Sequence, residues 1–175
     1  MKNIIFSLAA SFVFIQTSIY SFNISRTDGG SINFSTFEGK KILLVNIATG
    51  SDKVSQLAEL QQLHQQYGDS LVVIGFPSNS FGHESRSNAE IKAFCQSQYE
   101  VSFLLAAKGD VKGSGIQPVY NWLTKASENG QTNTIVKDDF QKYLISESGE
   151  LIGIFIGSVS PLDPQIVSNI TGSSN

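Results

Sequence analysis

The stretch Ile42-Leu43-Leu44-Val45-Asn46-Ile47-Ala48-Thr49-Gly50-Ser51-Asp52-Lys53-Val54 decides how the rest of the chain is read. Its first half is an almost unbroken apolar run, the pattern of a strand buried on both faces of a sheet. Its second half turns through Gly50 into a helical pattern, with Leu57, Leu60 and Leu63 recurring on one face. A side chain at such a strand-to-helix turn sits near the positive end of the helix dipole, where a thiolate is stabilised and a cysteine has a lowered pKa. Ser51 occupies that place.

With 175 residues, 41% of them hydrophobic, and no long charged block, the chain is expected to form one compact domain. Lys2 followed by the apolar run Ile4 to Ile15 reads as the charged and hydrophobic regions of a secretory signal over residues 1–17, and the run is too short for an ordinary membrane span. The expectation is therefore a secreted or periplasmic protein with no membrane span in its mature chain. The formal net charge is −3, and loss of Lys2 makes it one unit more negative. No basic stripe exists to neutralise phosphates, which argues against nucleic-acid binding. Cys95 is the only cysteine, so no intrachain disulfide can form.

Outward from the opening stretch, Asp28-Gly29-Gly30 separates Phe22–Arg26 from Ser31–Phe34 in a hairpin pattern. The helix after Ser51 is expected to run to about Tyr67 and stop at Gly68-Asp69. Leu71 to Phe76 is a second buried strand closed by Pro77, and the strand–helix–strand order predicts a parallel crossover. The loop Ser78 to Ser87 is polar, and Ser87-Asn88-Ala89-Glu90 reads as a capping box opening a helix to Tyr99. Val101 to Leu105 reads as a short strand, Pro118 as the start of a helix through Leu123, and Ser127 to Thr134 as a polar loop. A second hairpin pairs Lys142–Ser146 with Leu151–Ile156, a last helix starts near Asp163-Pro164, and residues 171–175 form a polar tail.

These elements, in this order, resemble the glutathione peroxidase family of thioredoxin-like folds over residues 18–170. The resemblance is carried by Val45-Asn46-Ile47-Ala48, by Val73-Ile74-Gly75-Phe76-Pro77-Ser78-Asn79, and by Phe94-Cys95 with Tyr99 and Val101. Pro118 with Tyr120, and Phe140 with Lys142 to Leu144, continue it. It implies an α/β thioredoxin-like fold: a central mixed β-sheet flanked by helices, with an N-terminal β-hairpin.

The family's chemistry rests on four positions, and this sequence departs at all of them. Aligned without gaps from Asn46, the peroxide-reducing cysteine or selenocysteine falls on Ser51 and its following glycine on Asp52. The family's glutamine falls on Ser80, and its tryptophan and asparagine fall on Asp138 and Asp139. The loop after Gly82 is one residue short and lacks the family's Glu-Pro-Gly. Peroxide reduction needs a soft nucleophile ionised near neutral pH, which a serine hydroxyl is not. The two aspartates replace N–H donors with negatively charged acceptors that disfavour a nearby anion and raise one another's pKa. The resemblance thus implies a family member whose peroxide-reducing site is degenerate, acting as a binding or structural module with no cofactor. No partner is named by the sequence. The alternative is residual or altered peroxidase activity.

Two less favoured constellations are a hydrolytic Ser51–His83–Asp138 set and a metal site from Asp52, His83, Asp138 and Asp139, neither with supporting spacing. Without them the aspartates form a solvated acidic loop and His83 a solvated loop histidine. His64 is about 20 Å from Ser51 at a rise of about 1.5 Å per residue, too far to act as its base. Relatives that use thioredoxin carry a resolving cysteine where this chain aligns Gln96, so Cys95 is read as a buried packing group and Trp122 as core.

Overall fold

The computed structural model describes residues 16–172, so most of the proposed signal segment, and the tail after Gly172, lie outside the described residues. Two parallel strands, β3 (Lys41–Ile47) and β4 (Leu71–Pro77), form the centre of a five-stranded sheet, paired from Lys41↔Leu71 to Ile47↔Pro77. The sheet order is β5-β4-β3-β6-β7. Strand β5 (Leu104–Leu105) is parallel to β4, while β6 (Lys142–Ile145) and β7 (Leu151–Phe155) complete the other side as an antiparallel hairpin. A separate hairpin, β1 (Asn23–Ser25) with β2 (Ser31–Asn33), precedes the sheet. This is the mixed thioredoxin-like sheet with an N-terminal hairpin that the sequence implies.

Alternation along β3 divides the core into two layers. Leu43, Val45 and Ile47 face α1 (Gln56–Tyr67), α2 (Asn88–Tyr99) and α5 (Pro164–Thr171), packing with Leu57, Leu60, Leu63, Ile91, Cys95 and Ile166. Ile42 and Leu44 face the opposite layer, where Phe76, Tyr120 and Tyr143 stack edge to face at centroid distances of 5.2 and 5.9 Å. Tyr120 comes from α3 (Pro118–Thr124). Cys95 and Trp122 are both buried, as their patterns indicate.

Four boundaries differ from the sequence reading. The helix after Ser51 begins at Gln56, because residues 51–58 first close i→i+3 bonds, from Val54 N–H to Ser51 C=O through Ala58 N–H to Ser55 C=O. The Ser51 hydroxyl accepts the Lys53 N–H, a local bond that competes with the helical pattern. The polar stretch 127–134 contains the end of a one-turn helix, α4 (Ala126–Asn129), closed by Gly130 in the left-handed region. Strand β5 is confined to two residues of the expected five. The last helix includes Thr171 and ends at Gly172, so the polar tail starts later than expected.

Candidate active site

The four candidate residues Ser51, Ser80, Asp138 and Asp139 gather at one end of the sheet. Ser51 follows β3 and Ser80 follows β4, two strands that end side by side at Ile47↔Pro77. Asp138 and Asp139 precede β6, whose first residue pairs with Val45 of β3. Asn46 fixes the 138–141 segment to the sheet: its Nδ2 donates to the Asp138 carbonyl at 2.9 Å, and its own carbonyl accepts the Phe140 N–H at 2.7 Å. Phe140, buried with φ of 62°, takes the left-handed conformation that this attachment requires.

Ser51 is only 4% exposed. Its Oγ lies 3.4 Å from Asp52 Oδ1, to which it donates, and accepts the Lys53 N–H at 3.3 Å. Since α1 starts five residues later, the helix dipole acts on Ser51 less than the sequence pattern suggests, its effect falling off within the first turn. Ser80 does not reach toward Ser51 through its hydroxyl. That Oγ accepts from Ser78 Oγ at 3.0 Å and from the Val111 N–H at 3.1 Å, bracing its own loop.

The aspartates are neither solvated together nor set against each other. Lys53 Nζ bridges Asp52 Oδ1 and Asp138 Oδ2, each at 2.8 Å. The lysine holds the Asp138 carboxyl below its usual pKa, chiefly through the hydrogen bond, so the upward shift that the sequence predicts for Asp138 is overturned. The same two carboxylates raise the Lys53 pKa. Asp139 is fully buried, and its Oδ2 meets His83 Nδ1 at 2.5 Å while its Oδ1 has no hydrogen-bond partner. His83 is held over the turn by backbone too: its carbonyl accepts the Gly50 N–H at 2.9 Å, and a Cβ on Gly50 would stand 2.7 Å from that oxygen.

This geometry corrects four readings. His83 is no free loop histidine, and Asp139 is no solvated loop carboxylate. The hydrolytic set Ser51–His83–Asp138 is not formed, because His83 pairs with Asp139, Asp138 with Lys53, and the Ser51 hydroxyl with Asp52. Among the described residues no group of three or more His, Cys, Asp and Glu could hold a metal ion, so Asp52, His83, Asp138 and Asp139 do not form the imagined site.

Two residues were missed. Lys53 is the counterion that separates the acids, and its place two residues after Ser51 was the available clue. Glu84 is buried in the polar loop, where its carboxylate accepts from the Thr49 N–H at 2.7 Å, the Thr49 hydroxyl at 2.9 Å and the Arg86 N–H at 3.1 Å. It locks the loop against the end of β3. No local pattern marked it.

Cys95 lies in α2, fully buried, and burial pushes its thiol up to about 12. The only sulfhydryl in the chain is therefore not available as a thiolate.

Residues 19–124, which include Ser51 and Ser80, match the sequence profile of the family described as Glutathione peroxidase. The chain belongs to the glutathione peroxidase family. Glutathione peroxidase-like peroxiredoxin 2 of Saccharomyces cerevisiae is 35% identical over 158 residues, covering 88% of this chain and 98% of that protein. The glutathione peroxidase homolog BsaA of Bacillus subtilis is 31% identical, covering 82% and 91% of the two chains. Among solved structures, Trgpx in its apo form aligns with a TM-score of 0.66 at 28% identity, over 89% of this chain and 96% of its own. A thiol:disulfide interchange protein of the thioredoxin family from Chlorobium tepidum aligns with a TM-score of 0.63 at 15% identity, over 89% and 96%, a likeness of fold alone. The likeness to Trgpx runs over most of the chain, so the glutathione peroxidase scaffold carries Ser51 and Ser80 at the ends of its two central strands.

Proposed function

We propose that this member of the glutathione peroxidase family has lost peroxide reduction and acts outside the cytoplasm as a binding or structural module. The observation that supports the reading is the near-complete burial of the Ser51 hydroxyl, in the place where the gapless reading from Asn46 sets the family's chalcogen nucleophile. A hydroxyl has no low-energy two-electron oxidation comparable to thiolate to sulfenic acid, and its hydrogen bond to Asp52 does not make it an alkoxide. Cys95 offers no substitute, being enclosed by the α-helical layer with its thiol pushed up. The apolar segment after Lys2 supports export. The deciding measurement is hydrogen peroxide consumption by the purified protein with thioredoxin or glutathione as reductant. The expected rate is that of the reductant alone, and steady turnover by the protein overturns the proposal.

A second reading, hydrolysis, has one observation in its favour: a buried carboxylate orients a half-exposed histidine, which is the base-and-orienter half of an acyl-transfer site. The Ser51 hydroxyl is engaged with Asp52 rather than with His83. A fluorophosphonate probe is accordingly expected to leave Ser51 unmodified, and labelling of Ser51 that His83→Ala abolishes would establish the hydrolytic reading instead.

A further inference from the structure

Beside the degenerate site, the chain displays an apolar groove of about 330 Å³ whose lining includes Val111, Ile116, Thr124, Ile135 and Val136, with Lys112 at its edge. It begins next to Ser80, whose Oγ accepts the Val111 N–H. Ile135 is 66% exposed, more than any other large hydrophobic residue described.

The charge around the groove is distinctive. Every other described lysine and arginine gives at least one nitrogen to a protein oxygen, whether in an ion pair, in a hydrogen bond to a carbonyl or, for Arg86, at the Thr49 hydroxyl. Among the described residues, the three ammonium groups that meet no protein oxygen are those of Lys112, Lys125 and Lys137, Lys112 lying instead over the Phe81 ring at 3.7 Å. Lys125 follows Thr124 of the groove, and Lys137 follows Val136. In a chain of net charge −3, the three unpaired ammonium groups thus belong to residues in the lining of one apolar groove or next to it in sequence, where Asp110 beside Val111 is the one acid so placed.

We propose that this groove docks an acidic peptide segment of a partner protein. The segment inserts an apolar side chain between Ile116, Ile135 and Val136 and sets carboxylates against Lys112, Lys125 and Lys137. A fatty carboxylate would satisfy one lysine of the three; a peptide with several acids satisfies all. The inference rests on the binding-module reading and names the class of partner.

The test is selection of random short peptides displayed on phage against the purified protein, with the Ile135→Asp variant as the counter-target. Ile135 is exposed, so the variant keeps the fold. Enriched sequences are expected to combine Leu, Ile or Phe with several Asp or Glu. A synthetic peptide of an enriched sequence, followed by fluorescence anisotropy, is expected to bind roughly ten-fold or more weakly to Ile135→Asp and to the triple variant Lys112→Glu, Lys125→Glu, Lys137→Glu. Binding should also weaken several-fold between about 50 and about 500 mM salt, as screening requires. No enrichment over the variant, or enrichment of neutral or basic sequences, overturns the proposal, as does saturable laurate binding without peptide binding. Peroxide turnover assayed on the same preparation reports separately on the binding-module reading, since turnover would end that reading without altering the peptide result.

Discussion

Asp139 and His83 meet at 2.5 Å across a boundary of exposure: the carboxylate is fully buried, whereas the imidazole is 49% in solvent. The histidine caps a carboxyl group that the fold has taken out of water. His83→Ala is therefore expected to lower stability by roughly 1–3 kcal/mol, the cost of leaving a buried acceptor without its partner. Asp139→Asn should cost less, and the double variant less than the sum of the two, as urea denaturation of the four proteins will show. Strict additivity would mean that the pair contributes no coupling.

Restoring sulfur alone should not restore chemistry. Ser51→Cys places a thiol beside Asp52 and near the Lys53–Asp138 pair, but returns none of the family's N–H donors. Peroxide consumption by this variant is expected to stay near background. The combined Ser51→Cys, Ser80→Gln, Asp138→Trp, Asp139→Asn variant should exceed it, because it supplies donors as well as sulfur. Substantial activity in the single variant would show that the acids do not oppose the thiolate.

Lys142 gives a pH signature. It is fully buried, and its Nζ donates to Gln56 Oε1 at 2.5 Å, to Gly157 C=O at 3.3 Å and to Val159 C=O. Three neutral acceptors match the three N–H bonds of an ammonium, yet burial lowers its pKa from 10.5 to about 8. Between these values the unfolded chain binds the proton that the folded chain has released, so the lysine's contribution to stability rises with pH. Relative to Lys142→Met, the wild type should gain about 1 kcal/mol between pH 8 and pH 9 in chemical denaturation. A flat difference over that interval would place the folded pKa elsewhere.

Cys95 is expected to be inert. Cys95→Ala should cost on the order of 1 kcal/mol through lost packing in the α1–α2 layer, without altering any redox behaviour. Thiol reagents should label the native protein only at the rate of its unfolding, and rapid labelling would contradict burial.

Export makes a simple demand on the mature chain. Mass spectrometry of the protein recovered outside the cytoplasm should find its first residue between about 17 and 24. Intact Met1 in the soluble cytoplasmic fraction would refute cleavage.

The sheet was legible because β3 and β4 are buried on both faces, so their apolar runs admit few other readings. The start of α1 was not, since Ser51, Asp52 and Ser55 are residues that also open helices, and only the i→i+3 bonds distinguish the turn. Ser51 and Ser80 could be aligned through their strands. The environment of Asp139 could not be read, because a carboxylate in a polar loop carries no mark of burial and its partner His83 lies far away in sequence, in the loop after β4. The same holds for Asp138 and Lys53, whose encounter depends on how Asn46 anchors one loop to another strand.

Gln141 gives the exposed Ile135 a kinetic meaning. Its buried side chain donates to the Ile135 carbonyl at 3.0 Å and to the Tyr143 hydroxyl at 2.7 Å, and accepts the Lys137 N–H at 3.0 Å. The segment that displays Ile135 is thereby braced against β6, with its backbone already set before any encounter. Docking there requires no ordering step, so association should follow a single exponential whose rate rises linearly with partner concentration, with no plateau from a slow isomerisation.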